Sequence, residues 1–83
     1  MRRYAKNLNP PIKLDQLQQM FGAVDSELLR HGCDNTLLFT KLWLARRGHD
    51  VSTVVAWLQR HGGYCDCEVL LNVEHKVNGG ADA

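Results

Sequence analysis

With 83 residues, of which 45% are hydrophobic and 23% charged, the chain is long enough for one small domain and too short for two. Ten Lys and Arg side chains oppose nine Asp and Glu, and this near-neutral balance argues against a strongly basic nucleic-acid-binding domain. No apolar run approaches the length of a membrane span and no signal peptide follows Arg2 and Arg3, so we expect a cytoplasmic protein.

The beginning of the chain is basic and lacks apolar periodicity. Four basic residues precede the first acidic one, Asp15. We expect residues 1–12 to form a flexible basic arm, residues 13–77 a single small helical domain, and residues 78–83 a disordered tail. Most of the hydrophobic core must therefore come from the middle of the chain.

A first helix is predicted by apolar residues that recur at steps of three and four. Its apolar face consists of Leu14, Leu17, Met20, Phe21, Val24 and Leu28. Gly22 interrupts this face and costs about 1 kcal/mol relative to alanine, which leaves two short helices as an alternative. We favour one helix that ends at Gly32, because glycine readily adopts the left-handed conformation found at helix ends.

Two further helices are indicated by capping residues. Asp34 is the predicted N-cap of the second helix, which is apolar over more than half its circumference and ends at Gly48. This pattern predicts the central helix of a bundle. Asp50 is the predicted N-cap of the third helix, which ends at Gly62. The expected buried stripe of the third helix is Val51, Val54, Val55, Trp57 and Leu58.

The segment after residue 67 is apolar, and both a helix and an extended strand fit its pattern. We favour a short helix over residues 67–72 with Asp66 as its N-cap. The elements together predict an all-α fold, a small bundle of three main helices with a short carboxyl-terminal segment.

The three cysteines carry the clearest chemical signal in the sequence. Cys65 and Cys67 are one residue apart after Gly62-Gly63, and Cys33 directly precedes the second helix. The second helix begins and the third helix ends at the same end of an antiparallel pair, so we expect the three sulfurs to approach one another. Three thiols cannot all pair as disulfides within one chain, whereas thiolates are ordinary ligands of zinc.

These cysteines therefore predict a structural zinc site. A domain of this size has a marginal core, and a bound metal would stabilise it. Zinc takes four ligands in structural sites. The first candidates for the fourth ligand are His31 and His61, which lie beside the turns that carry the cysteines. Asn35, Glu68 and a water molecule come after them.

Thiol–disulfide exchange is an alternative function for the same residues. Cys65 and Cys67 could form a strained disulfide, with Cys33 as the attacking or resolving thiol. The redox motif with a clear mechanism is Cys-x-x-Cys beside a βαβ unit, and the sequence has neither.

A helix-turn-helix DNA-binding unit is a second alternative. Residues 40–58 have the pattern of two helices joined by a turn with glycine, and Ser52 and Thr53 would begin the recognition helix. Only Arg60 is charged along that helix, which disfavours a nucleic-acid partner. The sequence has no recognisable catalytic constellation, so we favour a structural or protein-interaction module over an enzyme.

Three segments of the chain resemble the small bacterial domain-of-unknown-function family 2695. They are Gly32-Cys33-Asp34-Asn35-Thr36-Leu37, Ala56-Trp57-Leu58 and Gly62-Gly63-Tyr64-Cys65-Asp66-Cys67-Glu68-Val69. The resemblance implies no activity. It does imply a histidine at the position of Asn35, and that histidine would complete a set of four zinc ligands with the cysteines.

Overall fold

All regular structure in the computed structural model, which describes residues 8–79, is helical. Three main helices are followed by a carboxyl-terminal helical segment of three consecutive parts. The main helices are α1 (Leu14–His31), α2 (Leu38–Arg46) and α3 (Val51–Arg60), and the segment comprises α4 (Asp66–Glu68), a π-helical stretch (Val69–Glu74) and α5 (His75–Val77). The predicted all-α bundle of three main helices is thereby confirmed. Most of the predicted basic arm and disordered tail lies outside the described residues.

Helix α1 is a single helix, as predicted. It passes through Gly22, which is exposed, without interruption. It ends where Gly32 adopts a positive φ of 75° and donates its backbone N–H to the carbonyl of Leu28 at 2.8 Å. Its buried face is formed by Leu17, Met20, Phe21 and Val24.

Helix α2 begins later than predicted, and Asp34 is not its N-cap. The N-cap position is held by Leu37, which has no capping side chain. Asp34 accepts hydrogen bonds from the backbone N–H of Thr36 at 3.0 Å and from its hydroxyl at 2.6 Å. The aspartate thus closes a turn ahead of the helix, since it lies four residues before Leu38 and cannot reach the helical N–H groups.

Helix α2, predicted as the central helix, contacts three other elements, α1, α3 and α4. Only one face of α2 is buried. This face comprises Thr40, Trp43 and Leu44, together with the N-cap residue Leu37. Leu38 and Leu42 remain 44% and 41% exposed.

Helix α3 matches its prediction closely. The carboxylate of Asp50 accepts a hydrogen bond from the backbone N–H of Thr53 at 3.4 Å. Val54, Trp57 and Leu58 are buried, and Val51 and Val55 are half-buried.

The carboxyl-terminal segment is helical, as favoured, but it extends beyond residue 72 to Val77. Cys65, not Asp66, is the N-cap residue of α4. Val69, Val73 and Val77 are fully buried and join the side chains of α1 and α3 in the core. None of the described helices has the length and apolar character needed to cross a membrane.

Candidate metal centre

Two loops bring the three cysteines together at one end of the bundle. Cys33 lies between α1 and α2, and Cys65 and Cys67 lie at the start of α4. The three Sγ atoms are all within 4.8 Å of one another, and the sulfurs of Cys65 and Cys67 are 3.4 Å apart. The approach of Cys33 to the other two cysteines, expected from helix pairing, is therefore present. We call these three residues the cysteine cluster.

The loop that carries Cys65 and Cys67 is held in place by a glycine turn and by hydrogen bonds from its backbone N–H groups. Gly62 has a positive φ of 93°, which turns the chain away from α3. Gly63 is buried and donates its N–H to the carbonyl of Leu58 at 2.8 Å. The N–H of Tyr64 donates to the carboxylate of Glu68 at 3.0 Å, which closes the loop around the two cysteines.

Asp66, between the two cysteines of this loop, has a different role from the predicted one. Its carboxylate accepts hydrogen bonds from the backbone N–H groups of Phe39 and Thr40, each at 3.0 Å, and from the Thr40 hydroxyl at 2.7 Å. Phe39 and Thr40 belong to the first turn of α2. Asp66 therefore caps the helix that Asp34 was predicted to cap, across a separation of 26 residues.

The sulfur of Cys33 is an acceptor of backbone hydrogen bonds. The N–H of Asn35 donates to it at 3.4 Å. The pKa of the Cys33 thiol lies below its usual value because the backbone N–H groups of Cys67 and Asn35 point at the sulfur.

The other shifted thiol in the cluster is that of Cys67. Its pKa is raised to about 12, chiefly by hydrogen bonding with the sulfurs of Cys33 and Cys65 and also by burial. Of these two thiols, Cys33 is therefore the one that more readily carries a negative charge. A divalent cation would offset the repulsion between neighbouring thiolates.

The positions of the sulfurs fit a tetrahedral metal ion. A zinc–sulfur distance of about 2.3 Å places the sulfurs of a tetrahedral site about 3.8 Å apart. The observed separations, 3.4 Å for one pair and at most 4.8 Å for the others, bracket this value. Three thiolates could thus bind one zinc ion after shifts of about 1 Å or less.

The two histidines predicted as candidate fourth ligands contact aromatic rings. The imidazole of His31 stacks on Phe39 at 5.7 Å, and that of His61 contacts Trp57 at 4.9 Å. The pKa of His61 is lowered by burial and by the positive charges of Lys76 and Arg60. Among the His, Cys, Asp and Glu residues between positions 8 and 79, only the three cysteines form the mutually close group.

Asn35 is the candidate fourth ligand whose main chain contacts the cluster. Its backbone N–H donates a hydrogen bond to the sulfur of Cys33. Its φ is 70°, a left-handed conformation that asparagine adopts more readily than most residues.

The residues that would read DNA in a helix-turn-helix unit are bound within the chain. The hydroxyl groups of Ser52 and Thr53 donate to the carboxylate of Asp50 at 3.1 and 2.9 Å. Both hydroxyl groups are thus paired with the carboxylate of the N-cap residue.

Sequence comparison identifies relatives, none of them with an assigned role. A family model described as "Protein of unknown function (DUF2695)" matches residues 20–72. The chain is similar to uncharacterized proteins of Mycobacterium tuberculosis and Mycobacterium bovis, with 38% identity over 72 residues, which cover 87% of this chain and 73% of each relative. No solved structure matches the chain.

Proposed function

The chain belongs to the DUF2695 family of proteins of unknown function, and we propose that it is a metal-binding module in which Cys33, Cys65 and Cys67 bind a zinc ion. The observation that carries this proposal is the convergence of three sulfurs from two distant loops within 4.8 Å. Cys33 is distant in sequence from Cys65 and Cys67. Binding of a shared metal ion is the simplest explanation for the close approach of the three thiols.

Zinc is the metal that this ligand set favours. Thiolates are soft ligands that select zinc, copper(I) or iron–sulfur clusters over magnesium or calcium. The three thiols must remain reduced, which agrees with a cytoplasmic location. In zinc-finger peptides, metal binding contributes about 10–16 kcal/mol of apparent free energy, more than the core of a domain this small supplies.

For the fourth ligand, we propose Asn35 or a water molecule. The hydrogen bond from the backbone N–H of Asn35 to the sulfur of Cys33 keeps Asn35 beside the sulfurs. Coordination by His31 or His61 would require the imidazole to leave its aromatic partner. Amides are weak zinc ligands, so we expect this site to bind zinc less tightly than one with a fourth cysteine or histidine.

A structural role for the metal follows from where the ligands lie. A zinc ion at the cluster would connect the loop before α2 with the loop after α3, and hold together the end of the bundle at which α2 and α4 meet. The module would then present its surface to a protein partner and would have no catalytic activity of its own.

Metal analysis of natively purified protein tests the proposal. We expect about one zinc ion per chain, and cobalt(II) substitution should give intense sulfur-to-metal charge-transfer absorption. Each of Cys33→Ser, Cys65→Ser and Cys67→Ser should weaken that absorption. His31→Gln and His61→Gln serve as matched controls and should leave it unchanged. Metal-free protein that takes up neither zinc nor cobalt would contradict the proposal.

Thiol redox chemistry is the second candidate, favoured by the distance of 3.4 Å between the sulfurs of Cys65 and Cys67. A mild disulfide oxidant would be reduced to two thiols as these two cysteines lose two electrons and two protons and form a bond. This candidate predicts the loss of two titratable thiols on oxidation and their recovery with dithiothreitol. A chain that keeps all three thiols in the presence of the oxidant would exclude it.

A further inference from the structure

Asp66 connects the loop that carries Cys65 and Cys67 to the start of α2. It is 1% exposed and lies between Cys65 and Cys67. Its carboxylate accepts the three hydrogen bonds from Phe39 and Thr40 described above, all from the first turn of α2. The first N–H groups of a helix have no partners within the helix, and a negative charge at this end is favoured by the helix dipole.

The main chain of Asp66 makes a second connection to the same region. Its N–H donates to the carbonyl of Thr36 at 2.8 Å. Thr36 ends the turn closed by Asp34, and Cys33 lies directly before that turn. Asp66 is thus attached at its backbone to one side of the loop before α2 and at its side chain to the helix that follows.

These four hydrogen bonds connect the two loops through buried contacts. Without them, the loop with Cys65 and Cys67 would keep its own internal bond from Tyr64 to Glu68, because that bond does not involve α2. The distance from its sulfurs to Cys33 would no longer be fixed by a buried contact. Residues that hold metal ligands in place commonly change metal affinity when they are substituted.

We propose that Asp66 is a positioning residue of the cysteine cluster, which sets the distance between Cys33 and the pair Cys65 and Cys67. The inference rests on the proposed metal-binding function. In this role, Asp66 affects the affinity of the cysteine cluster for the metal in addition to stabilising α2. A residue that only capped α2 would change the stability of the fold and leave the affinity of the folded protein unchanged.

The test compares zinc affinity, measured by competition with a chromophoric chelator, in the unsubstituted chain and in two variants. Asp66→Asn keeps the size of the side chain but turns an NH₂ group towards a backbone donor. Asp50→Asn is the matched control, because Asp50 also caps a helix but at the far end of α3. We expect Asp66→Asn to weaken zinc binding about 10–100-fold and Asp50→Asn to leave it unchanged, with circular dichroism confirming that each is folded.

A second variant keeps the inference testable if Asp66→Asn does not fold. Thr40→Val preserves the shape of a fully buried side chain and removes only the hydroxyl that donates to Asp66. We expect it to fold and to weaken zinc binding by less than Asp66→Asn does. The inference would be overturned if every folded variant at Asp66 and Thr40 bound zinc as tightly as the unsubstituted chain does.

Arsenite separates a failure of this inference from a failure of the proposed zinc site. Arsenic(III) bonds to three thiolates and needs no fourth ligand, so its affinity reports the sulfur positions alone. If the unsubstituted chain binds arsenite but not zinc, the zinc proposal fails, and weaker arsenite binding by Asp66→Asn would still support the positioning role. If the unsubstituted chain binds no arsenite, the sulfurs do not converge in solution and the inference is overturned.

Discussion

Gly63 shows how one residue controls the path of the loop behind the cysteine cluster. A Cβ at this position would lie 3.0 Å from Val73 Cγ2, 3.1 Å from Val69 Cγ2 and 3.2 Å from the carbonyl oxygen of Leu58. Both valines are fully buried, so neither has space into which it can move. We expect Gly63→Ala to lower the free energy of unfolding by about 1–3 kcal/mol, measured by urea denaturation.

Gly22 provides the control for that prediction. It is exposed within α1, and a Cβ there would have no atom within 4 Å. Gly22→Ala should therefore raise the free energy of unfolding by up to about 1 kcal/mol, through the greater helix propensity of alanine. Stabilisation by both substitutions would show that the contacts around Gly63 are not tight.

Asn35 is the second residue whose substitution is informative. The resemblance to the family predicts a histidine at this position, and a histidine tolerates the φ of 70° found here. We expect Asn35→His to add a fourth ligand and to increase zinc affinity by about tenfold or more, equivalent to roughly 1.4 kcal/mol. Competition with a chelator measures the change. Asn35→Gln, which adds length without an imidazole, should bind no more tightly than the unsubstituted chain.

At the scale of whole elements, local signals predicted the helices well where the capping residue acts within its own helix. Asp50 and Gly32 are such residues, and α1 and α3 have the expected ends. Local patterns predict that Asp34 and Asp66 each cap the helix nearest in sequence, and both predictions are wrong. The N–H groups at the start of α2 are bound by a carboxylate 26 residues away, which no local pattern indicates.

The π-helical stretch is the other feature of an element that sequence did not predict. Val69, Val73 and Val77 are all fully buried at spacings of four residues. In an α-helix each step of four rotates a side chain about 40° beyond a full turn. A π-helix has more residues in each turn, which reverses this drift and keeps the three valines on the core side. Such spacing is also compatible with an ordinary helix, so periodicity alone could not reveal the change.

The cap of α3 should give the protein a measurable pH dependence. The pKa of Asp50 lies below its ordinary value of 3.8 because the hydroxyl groups of Thr53 and Ser52 and the N–H of Thr53 donate to it. The unfolded chain has the ordinary pKa, so the carboxylate stabilises the fold fully above that value. This stabilisation is lost as the pH falls through the lower pKa of the folded state.

We therefore expect the unsubstituted chain to be more stable than Asp50→Asn at neutral pH, and the difference to shrink below a pH of about 4. Urea denaturation of both proteins over a range of pH measures it. A difference that stays constant from neutral to acidic pH would show that the capping carboxylate does not titrate with folding.

At the scale of the whole molecule, the convergence of the cysteines could be predicted because helix order alone places both loops at one end. The sequence did not show which contacts join the two loops, since Asp66 accepts hydrogen bonds from Phe39 and Thr40, which are distant in sequence. The apolar pattern of α2, which covers more than half its circumference, predicts more burial than the structure shows. In the described chain, one face of α2 carries the half-exposed Leu38 and Leu42.

A metal that joins the two loops should raise the melting temperature of the entire domain. Zinc at a free concentration of about 100 times its Kd stabilises the folded state by about 2.7 kcal/mol. In a domain of this size each 1 kcal/mol shifts the Tm by about 4–8 °C, so we expect zinc to raise the Tm by roughly 10–20 °C and a chelator to reverse the change. Differential scanning calorimetry measures the shift. Cys33→Ser, which removes one of the three sulfurs from the cluster, should show a much smaller rise; an equal rise in this variant would mean that zinc acts elsewhere on the chain.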